Sequence, residues 1–531
     1  MSNKQEVTFK DTGYFSKIIC DYLEEKDGLK EFYKHFPNLS GFKKQIELRS
    51  GKNDLIDRKT LVQSLQEQYK NISTSSKSKK NIDYLLNENA FTITTGHQLN
   101  LFTGPLYFLY KIISTINLTT LLKKEFPKNN FVPVYWMATE DHDFEEIQYF
   151  NFQGNKIKWK RKAAGGVGRL STEGLEIVFN EFSKNLGTSK NAEEIKSLFK
   201  RSYLENNNLA DATRFLANEL FGVHGLVIID ADNKDLKNNF IPYIKEELLE
   251  QTCHKEVSNT IEKIGPDYKI QVNPREINLF YLDDNLRERI IFEDGVYKVN
   301  NTPLTFTKES LMKEVEKNPE KFSPNVLLRP LYQEVILPNL CYIGGGGELA
   351  YWMELKSYFN AVDVPFPILL LRNSAVICTP KQVKKMQKLN ISKEAIFTNQ
   401  NELINRTIKD FSEIDIDFTE QRSQLEKMFN DLKILSNQTD TSFLGAVKAQ
   451  EKKQTNGINK LEKRLLKAQK RKMKEVVDRI IKLQDQIFPN HSLQERNTNF
   501  SEFYMNYGGN LIPVLIDALK PLELKFDLIE I

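Results

Sequence analysis

The sequence predicts an α/β fold in which a parallel sheet, interrupted by inserted lobes, is followed by a C-terminal antiparallel α-helical coiled-coil hairpin. Three observations carry this expectation. Residues 91–95 are a β-branched run, Gly96 opens a turn, 105–123 set apolar residues three and four apart, and 131–137 form a second strand-like run. Strand, turn, amphipathic helix and strand in that order define a βαβ unit with parallel pairing. Continuous apolar runs return at 226–230 and 366–371, as strands covered on both faces require. From Phe418 onward the pattern changes to long helices with apolar seams.

Taken in order, residues 1–90 place aromatic and leucine positions at helical spacing, broken by a Ser/Lys stretch at 73–80 that reads as a surface linker. The core is assigned to 1–410, and its polar, turn-rich stretches near 151–207 and 271–322 read as inserted lobes. Leu425, Met428, Leu432 and Leu435 then define a first seam, and Asn437 to Asp440 a turn. Asp440 or Thr441 is the expected N-cap of a second helix running through Ile458, Leu461, Leu465 and Ala468. The seam resumes at Met473, five residues on, and continues through Val476, Ile480, Leu483 and Ile487 until Pro489. A shift of that size requires the seam to rotate or the partner helix to change. The hairpin is therefore placed at 415–488, with room for a homodimer contact, and 489–531 is expected to pack back on the core.

At 531 residues the chain exceeds one ordinary core, given roughly 100–200 residues per domain. Hydrophobic residues at 40% and charged residues at 27% exclude a disordered chain. A net charge of +4 gives no argument for a polyanionic partner. The basic run from Lys460 to Lys474 raises nucleic acid locally, against the alternative of a solvated helix face. No apolar run approaches ~18 residues and the start lacks a signal-peptide pattern, so no membrane partner and a cytoplasmic location are expected. Cys20, Cys253, Cys341 and Cys378 contain no CxxC pair, which argues against a zinc knuckle or disulfide scaffold and for buried free thiols.

Three clusters carry chemistry. The first, Thr95-Gly96-His97-Gln98 through Thr103, follows a strand and leads into a helix, the edge at which parallel sheets bind ligands. Gly96 permits close backbone approach, and His97, Gln98 and Thr103 offer partners for a phosphate or carboxylate. An ordinary βα turn capped by His97 is the alternative. The second, Glu140-Asp141-His142-Asp143, ends the next strand; acids around a histidine can take a proton from an amine, hold Mg²⁺, or orient His142 as a base. Glu145 and Glu146 behind it suit a helix N-terminus. The third joins Arg329 and Glu334 to a tetraglycine, including Gly345 and Gly346, followed by Glu348 and Trp352. Arg329 could clamp a carboxylate, Glu334 or Glu348 could receive an amine, and the glycines allow close ligand approach. Arg372, at a strand end, is a weaker candidate for the same crevice.

The segments TTGHQLNLFTGPLY, VPVYWMATEDHDFEEI and LLRPLYQEVILPNLCYIGGGGELAYW, with the terminal coiled coil, resemble the bacillithiol biosynthesis cysteine ligase family, BshC, nearly end to end. The resemblance implies a Rossmann-like, nucleotidyltransferase-type core with connecting-peptide inserts and a dimerising coiled coil. It also implies the last step of bacillithiol synthesis, joining the carboxyl of L-cysteine to the amine of glucosaminyl malate. A carboxylate acylates an amine only when its oxygen becomes a leaving group, so ATP with Mg is expected, through an acyl-adenylate or acyl phosphate, and no tightly bound metal. On this reading the His97/Thr103 turn stabilises phosphate charge, Asp141 or His142 takes the amine proton, Arg329 holds a carboxylate and Glu348 orients an ammonium. Gly96-His97-Gln98 is a partial echo of the HIGH signature of class I synthetases, without a KMSKS-like loop. The competing readings are an RNA-binding protein and a metal-dependent hydrolase using His97, Asp141, His142 and Asp143.

Overall fold

The computed structural model describes residues 7–436, 438–439 and 441–531. At its centre is a five-stranded, wholly parallel sheet, ordered Ile368–Leu371, Asn339–Gly344, Ala90–His97, Asn130–Met137, Val227–Asp230. The chain lays down the last three strands of that order first, then returns to the other side of Ala90–His97. The order therefore reverses between Ala90–His97 and Asn339–Gly344, the crevice in which open α/β sheets bind ligands. Ala90 pairs with Asn130 and His97 with Met137, so the first two motif-bearing turns leave the sheet side by side. Asn339–Gly344 is a strand the sequence reading did not assign; its short apolar run is masked by the glycines that end it.

The crossover helix Tyr107–Glu125 is apolar nearly all round and correspondingly buried. Within it Lys111 is 3% exposed, an outlier that the site explains. The helix closes with Lys123 and Lys124 in its last turn, favourable to the helix dipole.

The two inserts differ in kind. The first carries a short hairpin, Tyr149–Phe152 with Asn155–Lys158, and helices Leu175–Leu186 and Lys190–Phe199. The second is an antiparallel sheet ordered Phe322–Pro324, Leu279–Asp283, Leu286–Glu293, Val296–Val299, Thr305–Phe306. One of its turns is Asp294-Gly295, both at positive φ, the Asp-Gly chemistry of a tight hairpin.

Helices Thr419–Ser436 and Thr441–Lys472 run antiparallel, tied by Lys433 to Glu451 at 2.6 Å and Arg422 to Glu462 at 2.7 Å. The inward positions include Phe429, Ser436 and Val447, all buried, while Met428 and Leu435 are 49% and 50% exposed. The seam thus steps from Leu425 to Phe429 and Leu432 to Ser436, correcting the assignment of Met428 and Leu435: alternate four- and three-residue steps keep one face inward. The expected turn at Asn437 to Asp440 and the cap at Asp440 or Thr441 involve Asn437, Asp440 and the Thr441 side chain, which lie outside what is described. The helix breaks at Met473 (φ −102°, ψ 33°) and continues as Lys474–Ile487. There the five-residue shift becomes a change of partner: this last helix packs on Gln400–Phe411, and Gln484 Nε2 donates to the carbonyls of Ile396 and Thr398 at 2.9 and 2.8 Å. Gln400–Phe411 consequently sits with the helical region, although the sequence boundary at 410 placed it in the core.

The chain ends in strand Phe526–Glu530, paired in parallel with Ser374–Cys378. All four cysteines are free and buried. Among the described residues no helix is long and apolar enough to cross a membrane. The lysines and arginines of 460–474 lie mostly on exposed positions of the hairpin.

Candidate active site

A cleft of about 980 Å³ opens at the carboxyl ends of the parallel strands, at the point where strand order reverses. It collects Gly96, His97 and Gln98 from the first cluster, Asp141 and His142 from the second, and Arg329, Gly345, Gly346, Glu348 and Trp352 from the third. Three clusters spread from position 96 to position 352 of the sequence therefore face one space.

Contacts between clusters fix its floor. Gln98 Nε2 donates to Asp141 Oδ2 at 3.3 Å and Glu146 Oε2 at 2.9 Å. Tyr342 OH donates to Glu348 Oε1 at 2.7 Å, and the Tyr342 ring stacks on Trp352 with centroids 4.5 Å apart. Gly96 is still in the strand, paired with Trp136, rather than opening the turn as the sequence suggested; a Cβ there would meet that Tyr342 hydroxyl at 3.1 Å, a close contact that favours glycine. Trp352 thus buttresses the tyrosine that holds Glu348.

Glu348 does not wait for a substrate ammonium. Lys111 Nζ meets its Oε2 at 2.5 Å and also donates to the Gly96 carbonyl at 2.7 Å, while Gly345 N donates to the same Oε2 at 2.8 Å. Burial pushes the Glu348 carboxyl up, but Lys111 and these hydrogen bonds outweigh it and hold it below its ordinary range. The lysine is the missing logic of the apolar helix: it ties the glycine turn after Asn339–Gly344 to the carboxyl end of Ala90–His97.

His97 Nδ1 donates to the Gln98 carbonyl at 2.7 Å, since a carbonyl can only accept, so the lone pair lies on Nε2. Burial, then the nearby Lys111 cation, push this histidine down to about 3. It is therefore neutral, with an Nε2 that has no partner among the described residues. This corrects the phosphate-stabilising role expected of His97: a lone pair repels phosphate and suits a substrate donor.

Asp141 has the opposite character. Burial raises its carboxyl, but the guanidiniums of Arg329 and Arg287 and the Gln98 amide more than compensate, and its net shift is downward. His142 Nδ1 accepts from Arg287 Nη1 at 2.6 Å, and burial together with Arg287 pushes the imidazole down. Arg287 occupies the nitrogen that a base would use, leaving Asp141 the better acceptor of the pair. Arg329 forms no side-chain hydrogen bond or ion pair among the described residues and presents its fork to the cleft.

Four candidates fall outside the cleft lining. Thr95 is fully buried, donating to the Ile343 carbonyl at 2.7 Å inside the sheet. Thr103 is 3% exposed in a turn covered by the C-terminal segment, where Asn499 Nδ2 donates to the carbonyls of Phe102 and Gly104. Glu140 pairs with buried Lys237 at 2.5 Å. Glu334 accepts from Asn339 and Gln333 beneath the sheet, and burial pushes it up to about 7. Local spacing could not separate these from cleft residues, because alternate residues of a strand and successive faces of a helix point to different surroundings. Conversely, Lys111, Arg287 and Arg496 line the cleft unannounced. Of these only Lys111 carries a sequence signal, a lone charge in an apolar helix.

Fold and site together define a Rossmann-like α/β protein with a cation-rich cleft at its topological switch point and a C-terminal coiled coil. Residues 2–373 match the family model described as "Bacillithiol biosynthesis BshC, N-terminal Rossmann-like domain", and 375–531 match its C-terminal coiled-coil domain. Proteins named "Putative cysteine ligase BshC" are similar over nearly the whole chain. That of Flavobacterium johnsoniae is 58% identical, covering 99% of both chains. That of Christiangramia forsetii is 56% identical over 98% of both, and that of Salinibacter ruber 28% over 96% of this chain and 94% of the relative. The chain belongs to the BshC family of bacillithiol biosynthesis.

Proposed function

We propose that this protein is a cytoplasmic ligase that forms an amide between the carboxyl of L-cysteine and the amine of glucosaminyl malate, the last step of bacillithiol synthesis, with ATP and Mg activating the cysteine. The observation that carries the reading is the convergence of neutral His97, ionised Asp141 and unpaired Arg329 in one cleft. The family and the names of its members support the same chemistry.

Arg329 holds a substrate carboxylate through paired N–H donors. Asp141, kept ionised by Arg329 and Arg287, attracts the incoming amine and receives its proton as the C–N bond forms. The His97 Nε2 lone pair accepts a hydrogen bond from the same nucleophile or from the cysteine ammonium and fixes its direction. ATP supplies the leaving group that a carboxylate lacks, and the arginines of the cleft wall fit its polyphosphate charge. The hairpin is expected to pair two copies of the chain.

The geometry gives the hydrolase reading no support: Arg287 engages His142, and among the described residues no three His, Cys, Asp or Glu side chains converge as a ligand set. The test is product formation by wild type, Asp141→Asn and Arg329→Ala protein. At least about a hundredfold loss of kcat/KM is expected in each variant, about 2.7 kcal/mol of transition-state stabilisation, with thermal unfolding unchanged. Wild-type turnover in both variants contradicts the assignment.

A further inference from the structure

We infer that the end of the cleft where the tetraglycine turn meets the C-terminal segment is an oxyanion subsite built by both family domains: Arg372 Nε–H, the Arg496 guanidinium, and the amides opening helix Gly346–Met353. The inference rests on the ligase reading only for which anion is bound, a phosphate of the nucleotide or a carboxylate of the acceptor substrate.

Arg372 is 3% exposed. Its terminal nitrogens are committed: Nη1 donates to Asn373 O and Ser374 Oγ at 2.9 Å each, and Nη2 to Glu495 Oε1 at 2.7 Å. Its Nε has no partner among the described residues, although the side chain lines the cleft. That nitrogen is buried and lies 4.0 Å from the point a Cβ on Gly345 would occupy, so any side chain at this position would stand against it. A buried donor without an acceptor costs free energy that a ligand oxygen would recover.

Two further features meet there. Helix Gly346–Met353 starts at the same turn, and the amides of a first helical turn lack intrahelical partners and favour anions. Glu348 already caps Gly345 N, leaving the following amides for a ligand. The second is charge. Glu495 offsets Arg372 and Glu348 offsets Lys111, whereas Arg496, exposed on the cleft wall, forms no ion pair among the described residues. Arg496 is therefore left without a carboxylate in contact among those residues, while Glu146, which accepts from Gln98, lines the same cleft.

Arg496 belongs to the coiled-coil family domain, not the Rossmann-like one. The short helix Gln494–Asn497 that presents it also carries Glu495, whose carboxylate locks Arg372 and accepts from Ala375 N at 3.1 Å. One turn of helix thus orients one arginine and contributes the other, so the C-terminal domain completes the cleft.

Isothermal titration of the full-length chain with inorganic pyrophosphate and with L-malate tests this. Arg496→Ala removes an exposed side chain and leaves the packed Arg372–Glu495 pair in place. It is expected to weaken at least one probe by roughly tenfold or more, with Arg496→Lys intermediate. Loss confined to pyrophosphate identifies a phosphate subsite, loss confined to malate a carboxylate subsite, and loss of both a subsite open to either. Unchanged affinity for both probes in Arg496→Ala, or no binding of either by wild type, overturns the subsite. Amide formation by the wild type, measured separately, decides the ligase reading independently.

Discussion

Lys111 shows how one residue can hold a site together without touching the chemistry. Its ammonium bridges Glu348 and the Gly96 carbonyl, so Lys111→Met leaves a largely buried carboxylate unpaired. A loss of about 3 kcal/mol is expected in urea unfolding, since breaking a buried pair from one side is costly. Adding Glu348→Gln should recover part of it, and a double variant no more stable than Lys111→Met contradicts the pairing. His97 makes a second residue-scale prediction. Its folded value of about 3 lies below the ordinary 6.5, so below pH 6.5 the unfolded chain takes up a proton that the folded chain refuses. Its contribution to stability is present above 6.5 and is lost as pH falls toward 3. His97→Gln should therefore be less acid-sensitive across that window in pH-dependent unfolding; equal sensitivity would show that the imidazole titrates normally. That His97, Asp141 and Arg329 face one crevice was legible in the sequence. Their states were not, because the His97 tautomer depends on a carbonyl one residue away and the charge of Asp141 on arginines distant in the chain.

At the scale of elements, the glycine-rich strap that follows the hairpin of the first insert braces the second motif. Val167 N donates to Asp141 O at 2.7 Å and Gly168 N to Thr139 O at 2.8 Å. A Cβ on Gly168 would lie 2.6 Å from Thr139 Cβ, so Gly168→Ala must displace the turn that carries Asp141. The expected cost is about 2 kcal/mol of stability together with a fall in kcat; an active, unperturbed protein would mean the strap is passive. Strands announced themselves where β-branched residues ran together, as in Ala90–His97, and were hidden where glycines crowded a short run, as in Asn339–Gly344. The shift after Ala468 announced a rotated seam or a new partner, but only the fold revealed the break at Met473 and that the new partner is Gln400–Phe411. Likewise, Met428 and Leu435 fit a spacing rule equally well on the outer face, and burial alone distinguished Phe429 as the inward residue.

For the whole molecule, the proposed pairing of two copies would draw on apolar side chains that the hairpin leaves outward: Met428, Leu435 and Leu461 are 49%, 50% and 56% exposed. Leu461→Glu is expected to shift sedimentation from dimer toward monomer; a monomeric wild type would remove the dimer from the account. The order of domains was readable because periodicity changes abruptly near Phe418. How the last forty residues return to the cleft was not, since Arg496 and Glu495 acquire their roles only through contact with Arg372. The central claim, that this cleft joins an activated cysteine carboxyl to an amine, is tested most directly by mass spectrometry of one reaction. Purified protein would be incubated with glucosaminyl malate and cysteine labelled with heavy oxygen in its carboxyl, with and without Mg-ATP. The account predicts bacillithiol only when ATP is present, with one heavy oxygen transferred to AMP or inorganic phosphate. Amide formed without ATP, or with no label in either nucleotide or phosphate, would contradict it.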